Sequence, residues 1–402
     1  MAKQTGLAAL DQIKQMRAAK IAAAPATPLT TQQLPMNQLA QALHPESQYL
    51  RIVKVIEHFD NARSYVLEPD TTRGTQHLAY FRAGQYLSVR LQIEQSYVTR
   101  AYAIRSAPAL ALKDQYVLTI KLVPNGFVTP YIFKNWQVGT QIETSAPAGE
   151  LYVQPLRDQS TIVGLAGGSG ITPFYALAQA IVDGTESVDL TLLYGSRTHD
   201  QILLDTEFDQ LVQQSDRIKV VHVLSDEQVP GYESGFITAD LIRKYAPTTP
   251  YSIFVCGPEG MYQFIDQEVL KLKLPAGRVR HELSGNGGAP DQLPGYPQTA
   301  KGKVFQMTVL LQDKTRTIPA RSDESVLVAM ERAGIVAPSL CRSGDCGICR
   351  SRLVTGEVFA PIVKDGRRKA DQDYGYIHTC VTYPTSDLTV EVPIHDLADQ
   401  FG

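Results

Sequence analysis

The sequence predicts a multidomain protein in which an antiparallel β-barrel is followed by an α/β domain and then by an α+β domain of the β-grasp type. Three observations predict this arrangement: short alternating strands up to about residue 156, then the order strand, glycine loop and helix, and finally a hairpin and one helix beyond residue 303. The length of 402 residues suits about three domains of roughly 100 to 150 residues each.

The composition is that of a globular protein, because 44% of the residues are hydrophobic. The formal net charge is −3, so the chain lacks the general positive field that nucleic-acid binding requires, and nucleic acid is excluded as a partner. Only five cysteines occur, and the first residues lack the basic-then-apolar pattern of a secretory signal. We therefore expect a reducing, cytoplasmic location.

One uncharged run covers residues 159–182 and is long enough in principle to span a bilayer. Gly167, Gly168, Gly170 and Pro173 interrupt its middle. This favours a strand, a loop and a helix over a single membrane helix, so no membrane association is expected.

Residues 1–48 are predicted to be an extension without chemistry. They begin with a weakly helical segment in which Leu7, Leu10 and Ile13 are mixed with basic residues. Residues 23–41 are rich in Pro, Thr and Gln, which is the composition of a linker. A loosely ordered tail is the favoured prediction, and a helix that docks on a partner is the alternative.

Residues 49–156 contain strands at short spacing with turns between them, as in a small antiparallel barrel. The run Arg-Ala-Tyr-Ala at 100–103 carries chemistry, because Arg100 can hold a phosphate through a forked pair of hydrogen bonds and Tyr102 can lie against an aromatic ring system. The run resembles the Arg-x-Tyr-Ser flavin motif of ferredoxin-NADP reductase-like proteins, with Ala103 in place of the serine that bonds near the reactive flavin nitrogen.

The segments 125–129 and 146–152 resemble the later flavin-contact segments of that family. The resemblance implies a flavin site, with FAD favoured over FMN because residues 146–152 can accommodate an adenine half. The flavin-binding residues that it implies are Gly84, Gln85, Arg100, Tyr102, Ala103, Gly126, Val128 and Thr129.

Residues 157–283 have the pattern of a doubly wound nucleotide-binding domain. A buried strand at 161–166 precedes a glycine turn at 167–170 and a helix at 173–182. The unpaired amides and positive dipole end of that helix make a site for a pyrophosphate. Further strands are predicted at 190–194, 218–224 and 251–256. The predicted coenzyme-binding residues around their carboxyl ends are Gly167, Gly168, Ser169, Gly170, Thr172, Ser196, Arg197, Gly257 and Pro258.

The Cys-Gly-Pro segment at 256–258 lies by the nicotinamide in the family, so Cys256 is a candidate for positioning that ring. The alternative is a buried thiol that acts as a small hydrophobe. Tyr102 and Cys256 are therefore the residues expected at the reacting rings. Ser196 and Arg197 could meet the 2′-phosphate of NADPH, but NADH users carry similar residues, so the choice of coenzyme stays open.

Residues 284–302 have the composition of an interdomain linker, and a third domain is predicted at 303–397. A hairpin is expected at 304–311 and 315–318. A helix is expected at 322–333, with an N-terminal serine cap, an acidic first turn and a stop at Gly334. Strands plus one helix suggest a β-grasp fold.

Four of the five cysteines have the spacing of a plant-type [2Fe-2S] site, with four, two and thirty residues between successive sulfurs. They are Cys341, Cys346, Cys349 and Cys380. Each iron needs two thiolates, so three sulfurs must converge from one short loop. A structural zinc site or ordinary buried thiols are the alternatives, but zinc sites favour two close pairs of ligands. The run Cys-Arg-Ser-Gly-Asp-Cys-Gly-Ile-Cys-Arg closely resembles the C-terminal ferredoxin domain of flavin-dependent reductases.

The order of the three parts resembles that of phthalate dioxygenase reductase-like electron-transfer reductases over roughly residues 49–397. The resemblance implies an NAD(P)H-dependent oxidoreductase. A hydride would pass from NADH or NADPH to the flavin, and single electrons would pass through the cluster to an acceptor protein outside this chain. A non-catalytic electron-relay subunit of a larger redox complex is the alternative.

Three basic residues, Arg342, Arg350 and Arg352, lie on or just after the cysteine-rich loop, where typical plant ferredoxins are acidic. We therefore expect an acidic docking face on the acceptor protein. The alternative is that these arginines pack internally against the flavin domain.

Overall fold

The computed structural model describes residues 2–24, 34–282, 289–362, 365–394 and 400. The chain forms two compact units, Met1–Pro45 and Glu46–Gly402. The first unit contains helix α1 (Ala2–Ala22) and helix α2 (Pro35–Leu43).

The helical segment predicted at the start of the N-terminal extension is present as α1, and α2 corrects part of the linker prediction. Residues of high helix propensity, mainly Ala, Gln, Lys and Leu, fill α1. Pro35 suits the first turn of α2, and Met36 and Leu39 recur at helical spacing, so residues 35–41 are not linker. Most of the remaining linker prediction falls on residues 25–33, which lie outside the described residues.

The predicted antiparallel barrel is present at the start of the second unit. Its elements are β1 (Gln48–Phe59), β2 (Ala62–Pro69), β3 (Tyr86–Ile93), β4 (Ser96–Ala103), α3 (Pro108–Ala111), β5 (Tyr116–Lys121), α4 (Thr129–Asn135) and β6 (Gln141–Thr144). The strand order is β4-β3-β6-β1-β2-β5, and all of these pairs are antiparallel. A bridge between Ile104 and Leu118 joins the two ends of the sheet, and fully buried side chains such as Leu50 and Leu87 fill the interior.

The α/β domain follows as predicted. Its elements are β7 (Thr161–Gly167), α5 (Thr172–Val182), β8 (Asp189–Ser196), α6 (Asp205–Gln214), β9 (Ile218–Leu224), β10 (Glu233–Ser234), α7 (Ala239–Tyr245), β11 (Ser252–Cys256), α8 (Glu259–Leu270) and β12 (Val279–His281). The sheet has the order β10-β9-β8-β7-β11-β12 and is parallel throughout. Helices α5 and α6 pack in one core and α7 and α8 in another, so both faces of the sheet are covered.

The uncharged run at 159–182 therefore consists of strand β7, a short 3₁₀ turn (Gly168–Ile171) and helix α5. Within the described residues, no helix combines the length and the apolar character needed to cross a bilayer.

The third domain has a β-grasp sheet. Its elements are β13 (Val304–Leu311), β14 (Lys314–Arg321), α9 (Val326–Arg332), β15 (Arg350–Thr355), β16 (Val358–Phe359), α10 (Lys369–Asp373), β17 (Tyr376–His378), β18 (Tyr383–Pro384) and β19 (Leu388–Glu391). The main sheet has the order β14-β13-β19-β15-β17, with one parallel pair between β13 and β19. Helix α9 contributes buried residues to the core beneath this sheet.

Helix α9 is shorter than the predicted helix 322–333. Ser325, rather than Ser322, is its N-cap, because the Ser325 side chain accepts a hydrogen bond from the amide of Val328. The acidic residues expected in the first turn lie before the helix, where the Glu324 amide closes a turn onto the carbonyl of Arg321. The predicted stop at Gly334 is confirmed.

Candidate active site

The cysteines predicted to hold the cluster lie together in the third domain. Cys341, Cys346 and Cys349 belong to residues 341–349, between α9 and β15, which we call the cluster loop. Cys380 follows β17, and the pairing of β17 with β15 carries it to the end of that loop. The Sγ atoms of Cys349 and Cys380 are 3.3 Å apart, so cysteines from distant parts of the sequence form one sulfur pair.

The backbone of the cluster loop wraps around Cys341. Gly344 and Gly347 have positive φ angles of 85° and 73°, as a tight loop requires. The amide of Cys346 points at the Sγ atom of Cys341 at 3.5 Å. The Nδ1 atom of His378 on β17 lies 2.7 Å from the carbonyl oxygen of Gly344 and fixes the loop to the sheet.

The four cysteine sulfurs supply the donor set of a [2Fe-2S] cluster. Hydrogen bonding to the thiols of Cys346 and Cys380 lowers the pKa of Cys341, and the same hydrogen bonds raise the pKa values of Cys346 and Cys380. The four cysteines therefore fit such a cluster through their number, spacing and convergence. Among the described residues, no group of three His, Cys, Asp or Glu side chains is arranged to hold a single metal ion.

A cleft of about 540 Å³ lies where the barrel, the α/β domain and the cluster loop meet, and we call it the flavin cleft. The predicted flavin residues that line it are Arg100, Tyr102, Ala103 and Thr129. The predicted coenzyme residues that line it are Gly167, Gly168, Ser169, Gly170, Thr172, Gly257 and Pro258. Cys256 and Cys341, a predicted cluster ligand, also line this cleft.

Other predicted flavin residues shape the surroundings of the flavin cleft. Gly84 has a φ of +104°, and a Cβ there would lie 1.9 Å from the carbonyl oxygen of Leu151. The amide side chain of Gln85 donates to the carbonyl of Gly149 at 3.3 Å. These two residues therefore position the 146–152 segment. The remaining two are Gly126, whose amide closes a turn onto Val123, and Val128, which is buried in the barrel core.

Arg100 is one of the cations that the flavin cleft presents to an anion. Its Nη1 donates to the carbonyl of Thr99 at 2.7 Å, which is its one hydrogen bond among the described residues. Burial, reinforced by the positive charge of Arg342, lowers the pKa of Arg100 to about 10. A guanidinium that burial destabilises to this extent fits a phosphate ester of FAD.

We expect Arg100→Ala to weaken flavin binding by about 2 to 3 kcal/mol, or roughly 30- to 150-fold, because it removes a charge-assisted hydrogen bond to phosphate. The measurement is flavin retention through dialysis, with the visible absorption of the cluster unchanged. Arg51→Ala, an exposed position on β1, is the matched control. Retention equal to that of the parent protein would show that Arg100 does not bind the flavin.

A second cleft of about 540 Å³ lies over the carboxyl ends of β8 and β9, and we call it the nucleotide cleft. Ser196 and Arg197 line it, as predicted, and the Nε atom of Arg197 lies 3.5 Å from a carboxylate oxygen of Asp226. The residues shared with the flavin cleft are Lys121, Gly167, Gly168 and Pro258. Because these shared residues form a common wall, a coenzyme in the nucleotide cleft can reach the flavin cleft.

The glycine turn packs directly on the segment after β11. A Cβ on Gly170 would lie 2.2 Å from the carbonyl oxygen of Cys256. Cys256 belongs to the core of the domain and also lines the flavin cleft. Burial raises the pKa of the Cys256 thiol well above its ordinary value and so favours its neutral form.

The flavin cleft also contains residues that sequence reasoning missed. Glu282 directly follows β12, and burial, followed by the negative charges of Asp345 and Cys341, raises its pKa to about 8. No motif marks it, because an isolated glutamate after a short strand is usually a surface residue. Val328 and Arg342 come from the third domain, and only the packing of that domain on the barrel places them here.

That packing involves β3 and β4 of the barrel. The hydroxyl of Thr99 is 2.7 Å from that of Ser339, and Ser88 donates to the carbonyl of Leu340 at 3.0 Å. The cluster loop begins at the next residue. These contacts therefore place Cys341 in the wall of the flavin cleft.

The expectation of three arginines on a docking face is wrong for Arg342. It is buried, and its Nη1 donates to a carboxylate oxygen of Glu331 on α9. The backbone of Arg342 has a positive φ of 58°, which is uncommon for a residue other than glycine. Arg350 and Arg352 do face outward, with side chains 49% and 57% exposed.

Electrons that enter at the nucleotide cleft can thus reach the cluster loop inside one compact unit, which is the arrangement of an NAD(P)H-dependent electron-transfer reductase. Three family models match the chain in this order. They are the oxidoreductase FAD-binding domain over residues 50–152, the oxidoreductase NAD-binding domain over 165–267 and the 2Fe-2S iron-sulfur cluster binding domain over 309–385.

The ferredoxin reductase component of 3-ketosteroid-9-alpha-monooxygenase from Mycobacterium tuberculosis is 30% identical over 85% of this chain and 94% of its own length. The glycine betaine monooxygenase reductase subunit of Chromohalobacter salexigens is 25% identical over the same shares. The structure of phthalate dioxygenase reductase has the same fold, with a TM-score of 0.60, 22% identity and coverage of 87% of this chain and 98% of that one. The chain belongs to the family of ferredoxin reductase components with phthalate dioxygenase reductase-like domain order. It is an oxidoreductase that uses FAD, a [2Fe-2S] cluster and a nicotinamide coenzyme.

Proposed function

We propose that this chain is the reductase component of an oxygenase system, taking electrons from NADH or NADPH and delivering them singly to a separate oxygenase protein. The observation that carries the proposal is the shared wall of the flavin cleft. Arg100 and Tyr102 of the barrel, Cys256 of the α/β domain and the cluster ligand Cys341 all line it. The curated relatives that match over the same span are reductase components of monooxygenases.

FAD, when bound, supplies the conversion of a two-electron hydride transfer into single electrons, and the iron-sulfur cluster carries one electron at a time. The residues of this chain bind and orient the reactants. The backbone amides of the glycine turn at 167–170 and of the start of α5 are placed to receive a coenzyme pyrophosphate. Cys256 and Pro258 border the nicotinamide position, and Tyr102 offers a ring face to the flavin. Ala103 has no hydroxyl, so the contact that the family's serine makes is absent here.

Two further side chains complete the site. Lys121 stands where the two clefts meet and adds a positive charge close to both phosphate positions. Glu282 can hold or release a proton at its carboxyl group near neutral pH, because its pKa is raised to about 8. The domain bounds 1–48, 49–156, 157–283, 284–302 and 303–397 remain part of this proposal.

The alternative function, a non-catalytic relay subunit of a larger redox complex, predicts no independent reduction by a coenzyme. Anaerobic mixing of the purified chain with NADH and with NADPH distinguishes the two. Bleaching of both flavin and cluster absorption by the chain alone supports the reductase. Bleaching that occurs only after other subunits are added would establish the relay.

The acceptor is expected to dock near the exposed Cys346 with an acidic face toward Arg350 and Arg352. We predict that the double variant Arg350→Gln/Arg352→Gln reduces an acidic acceptor, such as a plant-type ferredoxin, several-fold more slowly at low salt. The difference should fade above about 0.1 M salt, where the Debye length falls to roughly 10 Å. The measurement is stopped-flow reduction of the acceptor by the NADH-reduced protein.

The matched control for docking is Lys54→Gln/Lys113→Gln, which removes the same charge from exposed positions on the barrel. Cytochrome c, a basic acceptor, should not be slowed by the arginine variant. If the parent protein reduces the acidic acceptor at a rate indifferent to salt, or if both double variants slow it equally, the two arginines do not form the docking site.

A further inference from the structure

Two arginines from different domains face the flavin cleft. Arg100 lies on β4 of the barrel, and Arg342 lies on the cluster loop directly after the ligand Cys341. The Arg342 side chain is 8% exposed. The flavin cleft is therefore the one described space that these two guanidinium groups share.

Protein acceptors bind only some of the hydrogen-bond donors of these two arginines. Arg342 donates through Nη1 to Glu331, whose side chain is 6% exposed, and Arg100 donates through Nη1 to the carbonyl of Thr99. The other N–H groups of both arginines have no acceptor among the described residues. Lys121 and Glu282 line the same cleft, so the three cations Arg100, Arg342 and Lys121 outnumber the two carboxylates Glu331 and Glu282.

A buried net charge is costly unless an opposite charge joins it. The mutual repulsion is visible at Arg100, whose pKa is lowered to about 10 by burial first and by Arg342 second. An anion between the two guanidinium groups would cancel the excess charge and take up the free donors. A phosphate has the charge and the acceptor geometry that paired guanidinium groups favour.

We propose that Arg342 and Arg100 together bind the phosphate groups of the flavin, so that the iron-sulfur domain supplies part of the flavin site. The proposal rests on the proposed function, because it requires the flavin to occupy this cleft. Val328 of α9 lines the same cleft, and contacts of Ser339 and Leu340 with the barrel hold this part of the domain in place. Flavin affinity thus depends on the correct docking of the cluster loop on the barrel.

The test is a titration of full-length protein, freed of flavin and retaining its cluster, with FAD, FMN and riboflavin. Arg342→Gln should weaken FAD and FMN about 10- to 100-fold, because a charged pair with phosphate is lost. Riboflavin has no phosphate, so its affinity should change by less than about 2-fold. The readout is quenching of flavin fluorescence, which does not depend on turnover.

Glu331→Gln is the matched control, because it breaks the same ion pair but leaves Arg342 charged. If Arg342 binds phosphate, this variant should tighten FAD binding. If Arg342 only stabilises the cluster loop, both substitutions should lower the affinity for all three flavins by the same factor. That result would overturn the proposal. If Arg342→Gln loses its cluster, tighter binding of FAD and FMN but not of riboflavin by Glu331→Gln supports the proposal, and equal affinity of the parent and Glu331→Gln for all three flavins counts against it.

The Arg100→Ala variant separates failure of this inference from failure of the proposed function. Weaker FAD binding in Arg100→Ala with unchanged binding in Arg342→Gln would reject only the role of Arg342. Unchanged binding in both variants would mean that the flavin lies elsewhere, and both proposals would then fail.

Discussion

Cys349→Ser should separate two activities of this protein. Oxidation of NADH or NADPH by ferricyanide should persist near the parent rate, because ferricyanide can take electrons from reduced flavin and residue 349 is not among the residues that line the flavin cleft. Reduction of cytochrome c should fall by at least about 10- to 100-fold. Loss of a residue that only supports a metal ligand already costs roughly that much, and this variant removes a ligand itself. The buried Cys349 sulfur, 3.3 Å from that of Cys380, belongs to one of the two ligand pairs, and serine leaves one iron short of a thiolate.

Both activities are measured on the same preparation, with flavin content from the absorption spectrum. Cys346→Ser at the exposed part of the cluster loop should give the same separation. If both activities fell while flavin was retained, electrons would have to pass the cluster even to reach ferricyanide. If neither fell, the cluster would lie outside the path.

Gly170→Ala should lower kcat/KM for the nicotinamide coenzyme by about 100-fold or more, since a displacement of about 1 Å at a reacting centre can cost that much. The added Cβ would lie 2.2 Å from the carbonyl oxygen of Cys256 and 2.7 Å from the amide of Gly257. Both neighbours are backbone, so the glycine turn must move away from the segment after β11. The measurement is the rate of flavin reduction at increasing coenzyme concentration.

Gly260→Ala in helix α8 is the control for folding, because its Cβ would meet no atom within 4 Å. Its unfolding temperature should equal that of the parent or rise slightly, since alanine favours a helix. Gly170→Ala should keep its flavin and its cluster, both of which are bound largely by other segments. A Gly170→Ala protein with parent kinetics would show that the close contact with Cys256 does not control coenzyme position.

The sequence was most informative where the chemistry is local. The spacing of Cys341, Cys346 and Cys349 follows from the geometry that one loop must adopt around two irons, so it can be recognised without a fold. The alternating strands of the barrel and the strand-turn-helix order at β7 and α5 are likewise short-range patterns. All three domains, and Arg100 as the arginine proposed to bind the flavin, were therefore accessible from the sequence.

The sequence was misleading where a side chain's direction depends on the tertiary fold. Arg342, Arg350 and Arg352 look equivalent along the chain, but only the first turns inward to Glu331 and the flavin cleft. A positive φ at a residue other than glycine cannot be predicted from the residues next to it in the sequence. Gln85 was predicted to bind the flavin, and its side chain also bonds the carbonyl of Gly149, a contact that no local pattern indicates.

The sequence alone thus determined the class of protein, because ligand spacing, strand periodicity and the glycine turn each operate within a few residues. Only the tertiary structure decided the composition of the flavin cleft, where Arg100, Cys256 and Cys341 from three separate domains form one wall. Glu282 and Arg342 became visible there for the same reason. Their burial and charge result from long-range packing of the cluster loop and the α/β sheet on the barrel, and no pattern of neighbouring residues records which distant surfaces will meet.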